Sequence, residues 1–317
     1  MRRGIAVALG LLSAPVVATA LARWRVASFE RLDERDLRSG ATVATSDGVL
    51  HYVERGAGEP LLLIHGLGAS IFTFRRNIDG LARSFRVIAV DLAGFGGSSR
   101  SVRDYSQEAH ARRLVELMDA LGIPRAHVLG HSMGGAVALR LAARWPERVM
   151  RLVLVAPAPP DMMRAGALAT TLLRPFFPLF GLLYHSRRFR RFTLRSAFHD
   201  PARMMTDEVL DGYWGAARVR GHLEALSRLM ADRRKDPPVD LAKVTAPTLI
   251  LWGASDTWLR PALGERLAAQ LPDARLVIVP EAGHLLPEER PDEFVAHVEA
   301  FLSGREAPVS HSEAGRR

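Results

Sequence analysis

The stretch AHVLGHSMGGAVALRLAARW, residues 126–145, decides the fold of this 317-residue chain. It begins with an apolar run of strand length and continues, from Gly134, with small and apolar residues at helical spacing. The junction GHSMG matches the pattern G-x-S-x-G, in which glycines let the strand and helix backbones pass close together while a tight, strained turn exposes the serine hydroxyl. The stretch therefore predicts a buried strand, a sharp turn that presents Ser132, and a helix.

Two further motifs supply the partners that a serine nucleophile needs. A serine hydroxyl attacks poorly unless a base takes its proton, and His284, in the loop motif EAGHLLPEERP, is a side chain that titrates near neutrality. A carboxylate must then orient the imidazole, and Asp256 in LWGASDTWL follows a predicted strand. Asp240 and Asp273 are nearby alternatives for the carboxylate. The sequence thus predicts a catalytic triad of Ser132, Asp256 and His284.

Apolar runs with the length of buried strands recur along the chain. A hairpin precedes them, because two alternating runs flank Asp47-Gly48, a typical two-residue turn. Helical patterns separate several of the runs, as in residues 106–121. This alternation predicts an α/β fold with a mostly parallel sheet flanked by helices and functional residues at the carboxyl ends of the strands. The predicted buried strands are residues 60–66, 85–91, 126–131, 151–157, 247–253 and 274–280.

The same patterns divide the chain into parts. Residues 41–157 and 244–302 are predicted to form the two halves of the core. Between them, residues 158–243 replace strands with helical and irregular segments rich in Arg, Phe, Leu and Met, which predicts an inserted helical cap. Its segment 174–195 mixes aromatic and basic residues as an element at a membrane interface would, although an ordinary cap helix has the same pattern. The polar tail, residues 303–317, is predicted to be disordered.

Residues 1–28 have the features of a signal peptide or a membrane anchor. Arginines precede an uncharged stretch, residues 4–22, which as a helix with about 1.5 Å rise per residue would reach about 30 Å and cross a bilayer core. Small residues at 18–22 also resemble a signal peptidase site. A helix buried in the fold is the remaining alternative. We therefore expect membrane association through the N-terminus or export, with the rest of the chain outside the cytoplasm.

Composition removes several classes of function. The formal net charge of +9 comes mainly from arginine and could attract nucleic acid or anionic lipid, but no zinc-finger, RRM or KH pattern occurs, so we expect no nucleic-acid partner. The absence of cysteine excludes disulfides, thiolate nucleophiles and Cys-ligated metals. We expect no metal and no cofactor, because the predicted loop histidines lack the spacing of zinc ligands. These histidines are His65, His131 and His284.

Five motifs, in order and spacing, resemble those of the α/β-hydrolase fold family, in particular its cap-bearing esterase, lipase and C–C hydrolase branch. The resemblance covers about residues 41–302, and the order Ser, Asp, His along the chain is the order found in this family. The five motifs are HGLGAS (65–70), DLAGFGGSS (91–99), GHSMGG (130–135), WGASD (252–256) and AGH (282–284).

The resemblance also implies an oxyanion hole. Its two donors would be the backbone N–H groups of Leu67, in HGLG, and of Met133, which follows the predicted nucleophile. Such donors stabilise the negative charge that develops on a carbonyl oxygen in the transition state. His65, His131 and Asp91 are interpreted as packing or loop-orienting residues, because His284 already fills the role of the base.

The resemblance implies a serine hydrolase, esterase or lipase-like, that cleaves carboxylic esters through an acyl-enzyme intermediate. Serine in the motif argues against dehalogenase and epoxide hydrolase relatives, which carry Asp there. A C–C bond hydrolase remains an alternative, although such relatives commonly have Asn where His131 stands. Thioesterase activity, haloperoxidase-like activity and a non-catalytic binding module also remain open.

The expected partner is a small-molecule ester or a lipid. Binding pockets for such molecules are mostly hydrophobic with few polar groups, and several aromatic residues lie near the predicted active-site loops. The candidates for the substrate pocket are Phe72, Phe74 and Trp258. Packing in the core is the alternative role for each of them.

Overall fold

Eight strands form one sheet. The computed structural model describes residues 2–159 and 172–305, with side chains from residue 16 onward. The strands are β1 (Ala41–Thr45), β2 (Gly48–Arg55), β3 (Glu59–Ile64), β4 (Phe85–Val90), β5 (Ala126–His131), β6 (Val149–Val155), β7 (Thr248–Gly253) and β8 (Ala274–Val279). Their order in the sheet is β1-β2-β4-β3-β5-β6-β7-β8. Strand β2 is antiparallel to both of its neighbours, β1 and β4, and the six strands β3 to β8 are parallel to one another. The predicted mostly parallel sheet is confirmed.

The hairpin differs from its prediction by one residue. Thr45 pairs with Gly48, so the turn consists of residues 46 and 47. Gly48 is the first residue of β2 and has φ +101°, a backbone conformation that residues with a side chain rarely adopt. The glycine therefore serves the first strand position after the turn rather than the turn itself.

Helices cover the sheet and make up much of the described chain between β6 and β7. The described helices are α1 (Arg2–Phe29), α2 (Ile78–Leu81), α3 (Gln107–Ala120), α4 (Met133–Arg144), α5 (Phe177–Tyr184), α6 (Arg187–Arg195), α7 (Pro201–Met204), α8 (Asp207–Ala217), α9 (His222–Asp232), α10 (Ala262–Ala268), α11 (Leu286–Glu289) and α12 (Pro291–Leu302). Short 3₁₀ turns lie at Glu34–Leu37, Ile71–Phe74, Pro146–Arg148, Arg174–Phe176, Arg233–Lys235 and Leu241–Lys243.

The two faces of the sheet bury separate cores, because successive strand residues point to opposite sides. On β3, Leu62 and Ile64 join the cluster beneath α3 and α4, whereas Leu61 and Leu63 join the cluster that includes Phe294 of α12. All of these strand side chains are at most 2% exposed. Burial on both faces explains why the central strands read as continuous apolar runs rather than alternating ones.

The described residues between β6 and β7 form a helical cap. Two apolar clusters hold it: one joins α6, α7 and α8 to the core loops at Ala69 and Leu285, and the other joins α5, α8 and α9 to α1. Residues 160–171 of the predicted cap, and residues 306–317 of the tail predicted to be disordered, lie outside the described residues. The domain boundaries stay a prediction.

Helix α1 packs on the cap. Ala22 and Val26 are buried, and Val26 joins the cluster that contains Leu223 of α9. Just after the helix, the Glu30 carboxylate accepts hydrogen bonds from the backbone N–H groups of Gly221 and Leu223, at 2.9 and 2.8 Å. The end of the predicted leader segment is thus packed against the fold, as in the buried-helix alternative.

The side chains of α1 are described only from residue 16 onward. From residue 16 onward, the large apolar side chains of α1 that face away from the cap are exposed: Val16, Val17, Leu21 and Trp24. Within the described part of the chain, no helix combines the length and hydropathy that a bilayer span requires.

Candidate active site

Ser132 lies in a strained turn between β5 and α4. Its backbone has φ +54° and ψ −118°, in the region that L residues rarely adopt. The flanking glycines are required by close backbone contacts. A Cβ at Gly130 would lie 2.3 Å from the carbonyl oxygen of Gly134, and one at Gly134 would lie 2.3 Å from the carbonyl oxygen of Ile64. The G-x-S-x-G pattern therefore has the physical cause that the sequence predicted.

The structure brings the three predicted triad side chains together in one hydrogen-bonded relay. His284 Nε2 lies 3.0 Å from Ser132 Oγ, and His284 Nδ1 lies 2.7 Å from Asp256 Oδ2. Both His284 and Asp256 are buried. Because the carboxylate accepts from Nδ1–H, the lone pair of Nε2 is left facing the serine hydroxyl.

The loop after β7 fixes the carboxylate. Asp256 Oδ1 accepts hydrogen bonds from the backbone N–H groups of Trp258 and Leu259, both at 2.9 Å, which leaves Oδ2 for the imidazole. The two alternative carboxylates lie elsewhere: Asp240 caps the 3₁₀ turn at Leu241–Lys243, and the backbone of Asp273 pairs with β7. Asp256 is therefore the carboxylate of the relay.

Two buried histidines orient the site loops. His131 Nε2–H donates to the carbonyl oxygen of His284 at 2.9 Å. His65 accepts from the Leu92 N–H at 3.0 Å through Nε2, and its Nδ1–H donates to the Gly66 carbonyl at 2.8 Å. Burial lowers the pKa of His65, and burial next to His284 lowers the pKa of His131 to about 3. Both rings are thus neutral near pH 7 and hold backbone in place, the role the sequence favoured.

The predicted oxyanion hole consists of two backbone amides. Leu67, in the loop after β3, and Met133, at the N-terminus of α4, both line the cavity that contains Ser132. In the described part of the chain, neither backbone N–H has an acceptor. The N-terminus of α4 adds the positive end of a helix dipole at the same place. Free N–H donors at the positive end of a helix suit an oxygen that carries negative charge.

The cavity over Ser132 has a volume of about 230 Å³ and is mostly apolar. Trp258, one of the three predicted pocket residues, lines it, with its ring tilted over His284 at a centroid distance of 5.1 Å. The structure corrects the other two. Phe74 is fully buried in the core cluster under the sheet, and Phe72 packs edge-on against Tyr213 in the cap cluster. Both follow the packing alternative.

Comparison with known proteins identifies the family. Residues 59–291 match the model of the alpha/beta hydrolase fold. The chain belongs to the α/β-hydrolase family. In Comamonas testosteroni, a 2-hydroxy-6-oxo-6-phenylhexa-2,4-dienoate hydrolase is 32% identical, over 90% of this chain and 100% of that protein. Lipase 3 of a Moraxella species is 27% identical, over 93% of this chain and 94% of that protein.

Solved structures agree with this assignment. The crystal structure of a bacterial membrane phospholipase A is similar to this hydrolase with a TM-score of 0.68 and 28% identity. The similarity covers 96% of this chain and 99% of that one, so it includes most of the N-terminal region as well as the core.

One structural feature of the hydrolase has no clear sequence pattern: a cap segment is hydrogen-bonded to both catalytic loops. This segment, residues 196–200, follows α6. Trp258 Nε1–H donates to Ser196 Oγ at 2.9 Å, and the Leu285 N–H donates to the Ala197 carbonyl at 3.3 Å. Glu289 joins the same network: its carboxylate accepts from the backbone N–H groups of His199, Asp200 and Gly283. The only sequence signal for this network is the pair of adjacent glutamates, Glu288 and Glu289, that follows the AGH motif.

A metal site is not formed by the residues that the structure describes. In those ranges, no three His, Cys, Asp or Glu side chains converge as ligands of one ion would. The side chains that converge at Ser132 form a proton relay instead.

Proposed function

We propose that this hydrolase cleaves carboxylic esters through an acyl-enzyme formed on Ser132. One observation carries the proposal: a hydroxyl, an imidazole and a carboxylate are joined by hydrogen bonds of 3.0 and 2.7 Å, in a cavity also lined by two residues whose backbone N–H groups have no acceptor among the described residues. Serine, rather than aspartate, at this turn favours attack on an acyl carbon. The relatives named lipase and phospholipase A support the same substrate class.

In the first half of the reaction, Ser132 Oγ attacks the ester carbonyl carbon while its proton moves to His284 Nε2. The carbonyl oxygen becomes an oxyanion that accepts from the amides of Leu67 and Met133. Asp256 stabilises the imidazolium. The C–O bond to the alcohol then breaks, and the alcohol oxygen takes the proton from His284 Nε2, which leaves the acyl group bonded to Ser132.

In the second half, a water molecule replaces the alcohol. It gives a proton to His284 Nε2 as its oxygen attacks the acyl carbon, and a second oxyanion forms at the same two amides. The bond to Ser132 Oγ breaks, the serine regains its proton from the imidazolium, and the carboxylic acid leaves. The enzyme returns to its starting state with one water consumed.

The test is a panel of p-nitrophenyl esters from acetate to decanoate. The wild-type protein should hydrolyse at least the short members, and Ser132→Ala should lower kcat by about a thousandfold or more, because removing the nucleophile leaves only binding and oxyanion stabilisation. A fluorophosphonate probe should label the wild type and not the variant. The exposed Ser303, at the end of α12, provides the matched control Ser303→Ala. Undiminished turnover by Ser132→Ala contradicts the proposal.

A second candidate is hydrolysis of a carbon–carbon bond. It is favoured by the 32% identity to the dienoate hydrolase of Comamonas testosteroni, which extends over 90% of this chain. The purified protein should therefore also be assayed on 2-hydroxy-6-oxo-6-phenylhexa-2,4-dienoate, whose consumption is followed by absorbance. Turnover of the dienoate with none on any ester assigns the second function.

We also propose that the protein associates with a membrane through its N-terminus, with the catalytic domain outside the cytoplasm. The exposed apolar side chains of α1, and a related structure that is a membrane phospholipase, support this proposal. Fractionation of cells that express the full chain is the test. Recovery of the enzyme in the membrane fraction, and its cleavage by protease added outside the cytoplasmic membrane, are the expected results.

A further inference from the structure

Arg190 of the cap helix α6 faces the cavity that contains Ser132. Helix α6 places residues 190, 193 and 194 on one face, since positions three and four apart lie side by side on a helix. All three line the cavity together with Ser132 and His284. On the other face of α6, Arg191 is partly exposed and pairs with Asp207 at 2.5 Å. Of the arginines on this helix, Arg190 is the one that lines the cavity.

The charge of Arg190 is buried without an anionic partner among the described residues. The residue is only 8% exposed, and in the same part of the chain its buried Nε has no hydrogen-bond acceptor. One terminal nitrogen donates to the Tyr213 carbonyl over a long 3.4 Å, and the guanidinium stacks on the Tyr184 ring at 4.2 Å from its centroid. Within the described ranges, no carboxylate lies within 4.0 Å of it.

Three other arginines are buried in the described ranges, Arg113, Arg140 and Arg233, and the first two are paired. Arg113 lies 2.7 Å from the Asp47 carboxylate, and Arg140 lies 3.8 Å from the carboxylate of Asp236. A buried ion is costly unless it is paired, and leaving one partner out is strongly destabilising. In the described ranges, Arg190 and Arg233 are both buried with no carboxylate within 4.0 Å, and of these two Arg190 is the one that lines the cavity with Ser132.

The groups packed around Arg190 are neutral. Tyr184 stacks on the guanidinium, and its hydroxyl lies 3.0 Å from His222 Nε2. Burial, together with the charges of Arg100 and Arg190, holds the pKa of His222 well below its usual range, so this imidazole carries no charge near pH 7. The Tyr213 hydroxyl bonds Glu288, whose carboxylate is already paired with Arg75.

We propose that Arg190 binds an anionic group of the substrate, a carboxylate or a phosphate, and that the natural substrate is an acidic ester. The proposal rests on the proposed ester hydrolysis and adds the substrate class. A guanidinium presents several N–H donors in a planar fork that matches a carboxylate or a phosphate, and such charge-assisted bonds are stronger than neutral ones. Because one small cavity holds both Arg190 and Ser132, a single compact substrate reaches both.

The test compares pairs of esters that differ by one negative charge. In the first pair, mono-p-nitrophenyl glutarate carries a carboxylate on its acyl group, and p-nitrophenyl pentanoate is neutral. In the second pair, 1-butyrylglycerol 3-phosphate carries a phosphate on its alcohol, and 1-butyrylglycerol is neutral. The quantity measured is the ratio of kcat/KM for the acidic ester to kcat/KM for its neutral partner.

In wild type, the ratio should exceed one in at least one pair, and that pair identifies the source of the anion. Arg190→Gln should lower this ratio by about tenfold to a hundredfold, the size of one charge-assisted hydrogen bond lost. Arg190→Lys, which keeps the charge without the fork, should lower it less. Arg191→Gln, at the next position of α6 but outside the cavity lining, is the matched control and should leave the ratio as in wild type.

A binding experiment tests the role of Arg190 independently of the proposed ester hydrolysis. Calorimetry on Ser132→Ala with monomethyl glutarate and with glycerol 3-phosphate should give a Kd that weakens by the same factor when Arg190→Gln is added. If the wild type hydrolyses no ester, the proposed function fails and the binding arm still tests Arg190. Equal ratios and equal Kd values with and without Arg190, in folded variants with matching thermal melts, overturn the inference and assign the residue a structural role.

Discussion

Asp256 uses its two carboxylate oxygens for different tasks. Oδ1 accepts two backbone N–H groups of its own loop and sets the direction of the side chain, and Oδ2 holds the Nδ1–H of His284. The bonds to Oδ1 also fix the position of Oδ2, because a carboxylate that is anchored at one oxygen has little freedom at the other. The relay to Ser132 thus depends on a local turn that ends within three residues of Asp256.

Replacing Asp256 by Asn tests this division. The amide can still anchor the loop, but it no longer stabilises the imidazolium and it favours the wrong tautomer of His284. We expect Asp256→Asn to lower kcat by about 10³- to 10⁴-fold with little change in thermal stability. Stopped-flow assays and thermal melts measure the two effects. Asp240→Asn and Asp273→Asn are matched controls, and a comparable loss in either one would move the carboxylate role away from Asp256.

Buried histidines should make folding depend on pH. Both ring nitrogens of His110 are buried without a partner among the described residues. Burial, followed by the charge of Arg113, holds the pKa of this side chain well below its usual range. The folded protein therefore keeps His110 neutral where the unfolded chain binds a proton. The stability contribution is complete above about pH 6.5 and is lost as the pH falls below that value, by about 1.4 kcal/mol per pH unit.

The measurement is the free energy of unfolding in urea between pH 7.5 and 5. His110→Phe removes one titrating group, so the slope of stability against pH should become shallower by about 1.4 kcal/mol per pH unit in the acid range. The comparison uses slopes, which remain valid if the larger ring also changes stability uniformly. Parallel curves for the two proteins would show that His110 takes up its proton in the folded protein as readily as in the unfolded chain.

At the scale of elements, Glu289 joins the cap to the loop that carries His284. Its Oε2 accepts the Gly283 N–H at 2.5 Å, and its Oε1 accepts the N–H groups of His199 and Asp200 at 2.7 and 3.1 Å. A carboxylate suits this position because all its partners are donors. The imidazole is thus positioned from the cap side as well as from the Asp256 side.

Glu289→Gln should therefore impair catalysis more than binding. The amide NH₂ cannot accept, so at least one bond is lost and the His284 loop shifts, and small misplacements of catalytic groups cost up to about a hundredfold. We expect kcat for a p-nitrophenyl ester to fall by about tenfold or more with KM changed less than about threefold. Glu281→Gln, a carboxylate of the same loop that pairs with Arg290 at the surface, is the control. Equal effects on kcat in both variants would assign Glu289 no special role.

Sequence patterns predicted the elements better than the contacts between them. The strands, the helix α3 and the turn at Ser132 follow from short-range rules of period, capping and glycine placement, and all appear within about two residues of their predicted bounds. The roles of Phe72, Phe74 and Glu289 depend on which segments meet after folding. An aromatic residue beside a catalytic motif has the same local pattern whether it lines a cavity or fills a core, so only the tertiary structure distinguishes the two.

For the whole molecule, α1 is part of the cap structure. Val26 is 6% exposed and packs with Leu223, while Trp24 on the opposite side is 70% exposed. Val26→Asp would place an unpaired charge in this cluster, which is among the most destabilising substitutions, and should lower the Tm by about 5 °C or more. Trp24→Asp is the matched control and should change the Tm by about 1 °C at most. Equal melting temperatures for wild type and Val26→Asp would show that α1 leaves the cap in solution.

The bonds from residues 196–200 to both catalytic loops restrict how substrates enter. If the cap opened as a rigid lid, its hydrogen bonds would displace Trp258 and Leu285. Because Leu285 is next to His284, this movement would disrupt the catalytic relay. Leu67 and Trp258 line the cavity and are 36% and 46% exposed, so a substrate can reach Ser132 past these two side chains with the cap in place. If these hydrogen bonds keep the cap in place, the space between the two side chains, rather than movement of the cap, limits the size of the substrates that this hydrolase accepts.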